Sequence, residues 1–228
     1  MATLNYLGKG EVLNKPIKVN TLIYYWCVFV FLFGLLEEVN AQSYAKEKYS
    51  RTIWGYLKTL SDFGPRYLGT KGYDETLKLI RQVGDEFADE VLEHPFVFKR
   101  HNSEQIEMIN IEFIFHGNTG GRPILLGAHY DTRPFADKEI DLKLRVQPII
   151  GANDGGSGTA VLLGLARYLK EHPVNHPVRL VFFDGEDFGE NGTGEMFIGS
   201  RYHASYLKKT LPKQWPIAVI VIDMVGDK

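Results

Sequence analysis

The chain has 228 residues, 44% of them hydrophobic, 24% charged and 13% aromatic. That is enough apolar content for one medium-sized domain with a buried core, and it excludes disordered and collagen-like classes. The 26 Lys and Arg nearly balance the 28 Asp and Glu, so a net charge of −2 leaves no polycationic footprint for nucleic acid, and one cysteine excludes an internal disulfide framework.

The first element is a leader. Thr21 to Leu36 carries no charge and follows Lys9, Lys15 and Lys18. Its length lies between the roughly 7–15 residues of a signal-peptide core and the about 20 of a membrane span. Ala41, after Glu37-Glu38-Val39-Asn40, is a small residue suited to precede a cleavage point. Residues 1–41 are therefore read as an export signal, with an uncleaved N-terminal membrane anchor as the alternative. The expected location is periplasmic or extracellular. Cys27 lies inside the leader, so the domain expected over 42–228 has no cysteine for thiol catalysis or metal ligation.

Downstream, Ile53, Trp54, Leu57 and Leu60 recur at helical spacing between Tyr44 and Leu60, and Phe63-Gly64-Pro65-Arg66 breaks the pattern. A second helix is expected over about Tyr73 to Phe87 through Leu77, Ile80 and Val83. Phe96-Val97-Phe98 and Ile109 to Phe115 read as antiparallel strands. The second alternates Ile109/Ile111/Phe113/Phe115 with Asn110 and Glu112, which predicts one solvated face.

Beyond the Gly117–Gly121 turn, Pro123 to Ala128, Val178 to Phe183 and Ile217 to Ile222 are continuous apolar runs, the pattern of strands buried on both faces. Helical stripes over Ser157 to Leu169 and Phe197 to Leu207 separate them. The expected fold is a three-layer α/β/α sandwich around a mixed, mainly parallel sheet with an antiparallel edge.

Each buried run ends in acidic or imidazole groups: His129-Tyr130-Asp131, then Asp184-Gly185-Glu186-Asp187, then Asp223. A Gly151-Ala152-Asn153-Asp154-Gly155-Gly156 turn enters a helix. Ligands of open α/β sheets bind beyond the carboxyl ends of the strands, so these groups should converge. So many carboxylates cannot all stay ionised side by side without a cation, and a His/carboxylate set suits zinc. Asp131, two residues from His129, can orient the imidazole. Of the neighbours Glu186 and Asp187, one can bind metal while the other stays free as a base. Singly, each residue has an ordinary explanation as a helix cap, a core histidine or a solvated loop; the conjunction at the strand ends carries the reading. His94, His101, His116, His172, His176 and His203 lack such a context and are read as surface or structural.

These four motifs, His129-Tyr130-Asp131, Gly151 to Gly158, Phe182 to Asp187 and Asp223-Met224-Val225-Gly226, resemble in order those of the zinc aminopeptidases and the related glutaminyl-peptide cyclotransferases (glutaminyl cyclases). The resemblance covers roughly Phe63 to Lys228 and implies a zinc-exopeptidase-like fold acting on peptide or protein N-termini. In the two-zinc aminopeptidases, His129, Asp154, Asp187 and Asp223 match metal-site positions and Glu186 the general base. In the one-zinc cyclases, Asp154 and Asp187 match ligands and Asp223 a catalytic carboxylate.

The stretches Asp131-Thr132-Arg133-Pro134-Phe135-Ala136-Asp137 and Phe63-Gly64-Pro65-Arg66 resemble the bacterial cyclase branch. The expected site is thus Glu186 and Asp223 as catalytic residues, with His129, Asp154 and Asp187 as metal residues. The expected cofactor is one zinc for a cyclase or two for an aminopeptidase. The resemblance also implies a final histidine ligand beyond Asp223, and none follows His203, so the domain over 42–228 is read as truncated at its C-terminus, with an inactive form and a non-catalytic exported binding relative as further alternatives.

Overall fold

A computed structural model describes residues 43–189, 193–210 and 215–226. The chain divides into two units, Met1–Lys48 and Tyr49–Lys228. In the first unit the described residues, 43–48, are helical, and the expected leader lies outside the described residues. No helix among the described residues is long and apolar enough to cross a membrane.

The second unit begins with helix α1 (residues 49–62) and continues through α2 (Lys71–Phe87), β1 (Glu90–Lys99), β2 (Gln105–Phe115), β3 (Ile124–His129), α3 (Gly156–Glu171), β4 (Val178–Phe183), α4 (Ile198–Thr210) and β5 (Ala218–Val221). Helix α2 starts where Thr70, in extended conformation, accepts a hydrogen bond from the Tyr73 amide on its side chain. Its apolar residues Tyr73, Leu77, Ile80 and Val83 fall on one buried face.

The strands form one mixed sheet in the order β1-β2-β4-β3-β5. β1 pairs antiparallel with β2, β2 antiparallel with β4, and β3 runs parallel to both β4 and β5. β1 starts six residues before the apolar Phe96, pairing from Glu90↔Ile114 to Lys99↔Gln105. Pro95 is tolerated in it because β1 is an edge strand. On one face, α1, α2 and α3 pack Leu60, Ile80 and Leu163 against Phe113, Leu180 and Phe182. On the other, α4 lies over Phe96 and Met108 through Ile198, and Leu207 reaches Leu125, Val181 and Phe183. Helices on both faces make the expected three-layer α/β arrangement.

Two expectations are corrected. Over Ile109 to Phe115, β2 has no solvated face: Asn110 and Glu112 are fully buried beneath α4. They alternate with apolar residues because they meet polar partners. Asn110 donates to the Gly199 carbonyl and accepts from the Asp184 amide, while Glu112 pairs with His94 and Arg179. Conversely, β5 is apolar yet all four of its residues are exposed. An apolar run records what a strand can bury, and covering it depends on neighbours the run does not encode.

Candidate metal centre

Because β3, β4 and β5 are parallel, the segments that follow them emerge at one end of the sheet. His129 is the last residue of β3, paired against Phe183, and its side chain is almost fully buried. Asp154 sits in the turn before α3. That turn needs glycine at Gly155, whose φ is +72° and where a Cβ would crowd the Asp131 carbonyl and the His129 ring. Arg66 holds the turn from below: its guanidinium donates to the carbonyls of Ile150 at 2.7 Å and Gly151 at 2.8 Å. After β4, the amides of Glu186 and Asp187 both donate to the Asp131 carboxylate, at 3.1 and 2.9 Å. Asp223 follows β5, where the Ile222 amide still bonds to the Gly127 carbonyl.

All five expected site residues converge. Asp154 lies 3.1 Å and Asp223 3.4 Å from His129 Nε2, while Asp131 lies 3.4 Å and Glu186 4.0 Å from its Nδ1. Two sets, His129–Asp154–Asp223 and His129–Glu186–Asp187, bring one potential ligand atom per residue within 4.8 Å of one another. Although these oxygens are near, neither ring nitrogen of His129 is aligned for a hydrogen bond, and Asp187 Oδ2 is also unpartnered. Buried polar atoms are ordinarily satisfied. Nitrogen and oxygen donors crowded together without hydrogen-bond alignment are the arrangement a divalent cation satisfies, so the residues present fit zinc.

Other acidic residues at the strand ends do different work. Asp131 positions the loop carrying Glu186 and Asp187. Asp184 turns away, accepting from the Tyr73 hydroxyl at 2.6 Å and the Ile109 amide at 2.9 Å. Arg133 is buried and clamps Asp137 with two bonds of 2.9 and 2.8 Å while donating at 3.1 Å to Asp187 Oδ1. Its pairing with Asp187 had no sequence signal, since the partners are far apart in the chain.

Burial, opposed by His129 and reinforced by Asp187, Asp131 and Asp154, pushes Glu186 up to about 8. Burial with Asp154 and Asp131 pushes Asp187 up to about 6. Burial disfavours charge on His129, but Asp131, Asp154 and Asp223 overcome it and hold the imidazole pKa well above its usual value. His129 in turn holds Asp223 low.

A group whose pKa is raised on folding stabilises the fold below its unfolded pKa, and that contribution is lost as pH rises through the folded value. For Glu186 and Asp187 the loss runs from about 4 through about 6 and about 8, and His129 acts in the same direction. Asp223 has the opposite sign, its contribution disappearing only as pH falls below the ordinary carboxylate range. The metal-free protein is therefore expected to lose thermal stability between about pH 5 and 8, and added zinc to raise the melting temperature more at pH 8 than at pH 5. Scanning calorimetry with and without zinc checks this; a metal-free midpoint rising with pH would contradict the assignment.

The model of peptidase family M28 matches residues 110–228. Aminopeptidase YwaD of Bacillus subtilis (strain 168) is 32% identical over 103 residues, which are 45% of this chain and 18% of that protein. Among solved structures, Porphyromonas gingivalis glutaminyl cyclase superposes with a TM-score of 0.71 at 31% identity, covering 78% of this chain and 62% of that one. A Zn-dependent exopeptidase from Parabacteroides distasonis ATCC 8503 superposes with a TM-score of 0.70 at 26% identity over the same shares. The chain thus spans less than two thirds of the length of each.

Proposed function

The chain belongs to peptidase family M28, and on that premise we propose that it is a zinc-dependent glutaminyl-peptide cyclotransferase, converting N-terminal glutamine of exported peptides to pyroglutamate with release of ammonia. The observation that carries this reading is the set of unaligned donors around His129, with Glu186 beside it and free of hydrogen-bonded side-chain partners among those described. The leader over 1–41 delivers the enzyme outside the cytoplasm.

Asp154 and Asp187 would hold the zinc, which would supply Lewis-acid polarisation of the glutamine side-chain amide carbonyl. Glu186 accepts a proton from the substrate α-amine as its nitrogen bonds to the side-chain amide carbonyl carbon, Cδ. It returns that proton to the amide nitrogen as the C–N bond breaks and ammonia leaves. Asp223, partly exposed at the rim, orients the α-amine. No separate nucleophile is required, because the amine and carbonyl belong to one residue.

Two features support the cyclase branch. Arg133 already brings a positive charge to Asp187, so one cation fewer is needed there. The two stretches that resemble bacterial cyclases also form one unit, the Arg66 amide donating to Thr132 Oγ1 at 2.7 Å and its guanidinium to the Tyr130 carbonyl at 3.0 Å.

The second reading is a two-zinc aminopeptidase, in which Glu186 serves a water attacking the first peptide bond. It is favoured by the second ligand set, His129–Asp154–Asp223, which shares His129 with the first, and by the likeness to YwaD. Glutamine-starting and leucine-starting peptides assayed side by side separate the two. Ammonia from the first peptide is the expected result; free leucine from the second overturns it.

A further inference from the structure

His94 on β1, Glu112 on β2 and His203 on α4 meet under the α4 layer, on residues that the reaction above does not use. All three are buried, with exposures of 7%, 0% and 2%. One ligand atom from each lies within 4.8 Å of the other two. Leu92 is the partner of Glu112 in the β1–β2 register, so His94 is its diagonal neighbour on the same face.

Glu112 accepts from Arg179 at 2.9 Å and lies 2.8 Å from His94 Nε2. That hydrogen-bonded network accounts for Glu112 and His94 but leaves His203 unexplained: neither of its ring nitrogens has a hydrogen-bond partner. The rings of Tyr206 and Phe183 pack around the histidines, with centroids 4.6 Å from His94 and 5.9 Å from His203 respectively. Burial, only partly opposed by Glu112, lowers His203 to about 4, so at neutral pH its lone pair is available. His94, Arg179 and others outweigh burial and keep Glu112 an ionised carboxylate.

We infer that His94, Glu112 and His203 form a second, buried binding site for a divalent transition metal, separate from the cluster at His129. Two imidazoles and a carboxylate are a donor set suited to zinc, and enclosure suits a structural ion rather than a catalytic one. Such an ion would tie α4 to the β1–β2 hairpin. Helix α4 follows the loop bearing Glu186 and Asp187, and its Gly199 amide donates to the Asp184 carbonyl at 2.9 Å. The ion would thereby brace that loop from behind. The inference holds whichever reaction the His129 cluster performs.

The test uses the full chain with Asp154→Asn and Asp187→Asn, which removes the first site. Stripped with chelator and titrated with zinc, this protein is expected to take up one ion and to melt at a higher temperature. Adding His203→Phe, which keeps a ring of similar volume, should abolish both effects. Ring-nitrogen NMR signals of His94 and His203 should shift on zinc addition while those of His129 do not, a readout that stands even if the phenylalanine variant fails to fold. No uptake by the Asn variant, undiminished uptake after His203→Phe, or histidine signals that move only at His129 would overturn the site.

Discussion

Glu186→Gln should lower turnover by about 10²–10⁴-fold while leaving zinc content and melting temperature nearly unchanged. The substitution keeps the size of the side chain and its hydrogen-bonding capacity and removes only its basicity. The Glu186 amide, which anchors the loop to Asp131, is untouched. The side chain is partly buried at 18% exposure and stands on the Nδ1 side of His129. Burial places its pKa near the working range of a general base.

Its neighbour should behave the other way. Asp187 presents one oxygen to Arg133 and leaves the other unpartnered toward the cluster. Asp187→Asn should therefore release metal first and lose activity as a consequence. Elemental analysis of both variants beside turnover of a glutamine-starting peptide decides the matter. Zinc loss in Glu186→Gln with retention in Asp187→Asn would reverse the two roles.

Arg66→Met should destabilise the protein by about 3–5 kcal/mol, because charge-assisted hydrogen bonds contribute roughly 1.5–3 kcal/mol each and relaxation recovers part of the sum. For a unit of this size that is a fall of roughly 10 °C in melting temperature. Arg66 is fully buried, yet its guanidinium donates to the Tyr130, Ile150 and Gly151 carbonyls. Burial lowers its pKa to about 10, with Asp131 and Asp154 opposing, so it remains charged at neutral pH. Methionine fills similar space but leaves the Tyr130 and Ile150 carbonyls without a donor and the Gly151 carbonyl with the Gly156 amide alone. Since two of them belong to the turn that presents Asp154, zinc affinity should fall along with stability. Urea unfolding and zinc titration measure both; unchanged zinc affinity in a folded Arg66→Met protein would show that the turn holds its shape unaided.

Much of the fold was legible because local pattern and final structure agree. The stripe through Tyr73, Leu77, Ile80 and Val83 predicts α2 and its buried face, and the apolar runs ending at His129 and Phe183 become the paired strands β3 and β4. The alternation in β2 misled because period two distinguishes polar from apolar side chains without saying whether the polar side is wet. Asn110 and Glu112 are buried because α4, His94 and Arg179 supply partners from distant parts of the chain.

The candidate site divides along the same line. The sequence by itself determined which chemistry is present: a histidine and carboxylates at the ends of apolar runs, with glycines where the chain must turn sharply. Parallel strands bring their C-terminal ends together, so residues placed there are bound to meet once the sheet order is known. Only the tertiary structure decided the relations among them. Asp131 became the anchor for two amides, Asp184 turned to Tyr73, Arg133 reached Asp187, and Arg66 braced the Asp154 turn. His94 and His203, without any local signature, met over Glu112. Each of these contacts joins residues remote in the chain, and a hydrogen bond or ion pair between remote residues depends on where the packed layers place them, which no local periodicity records.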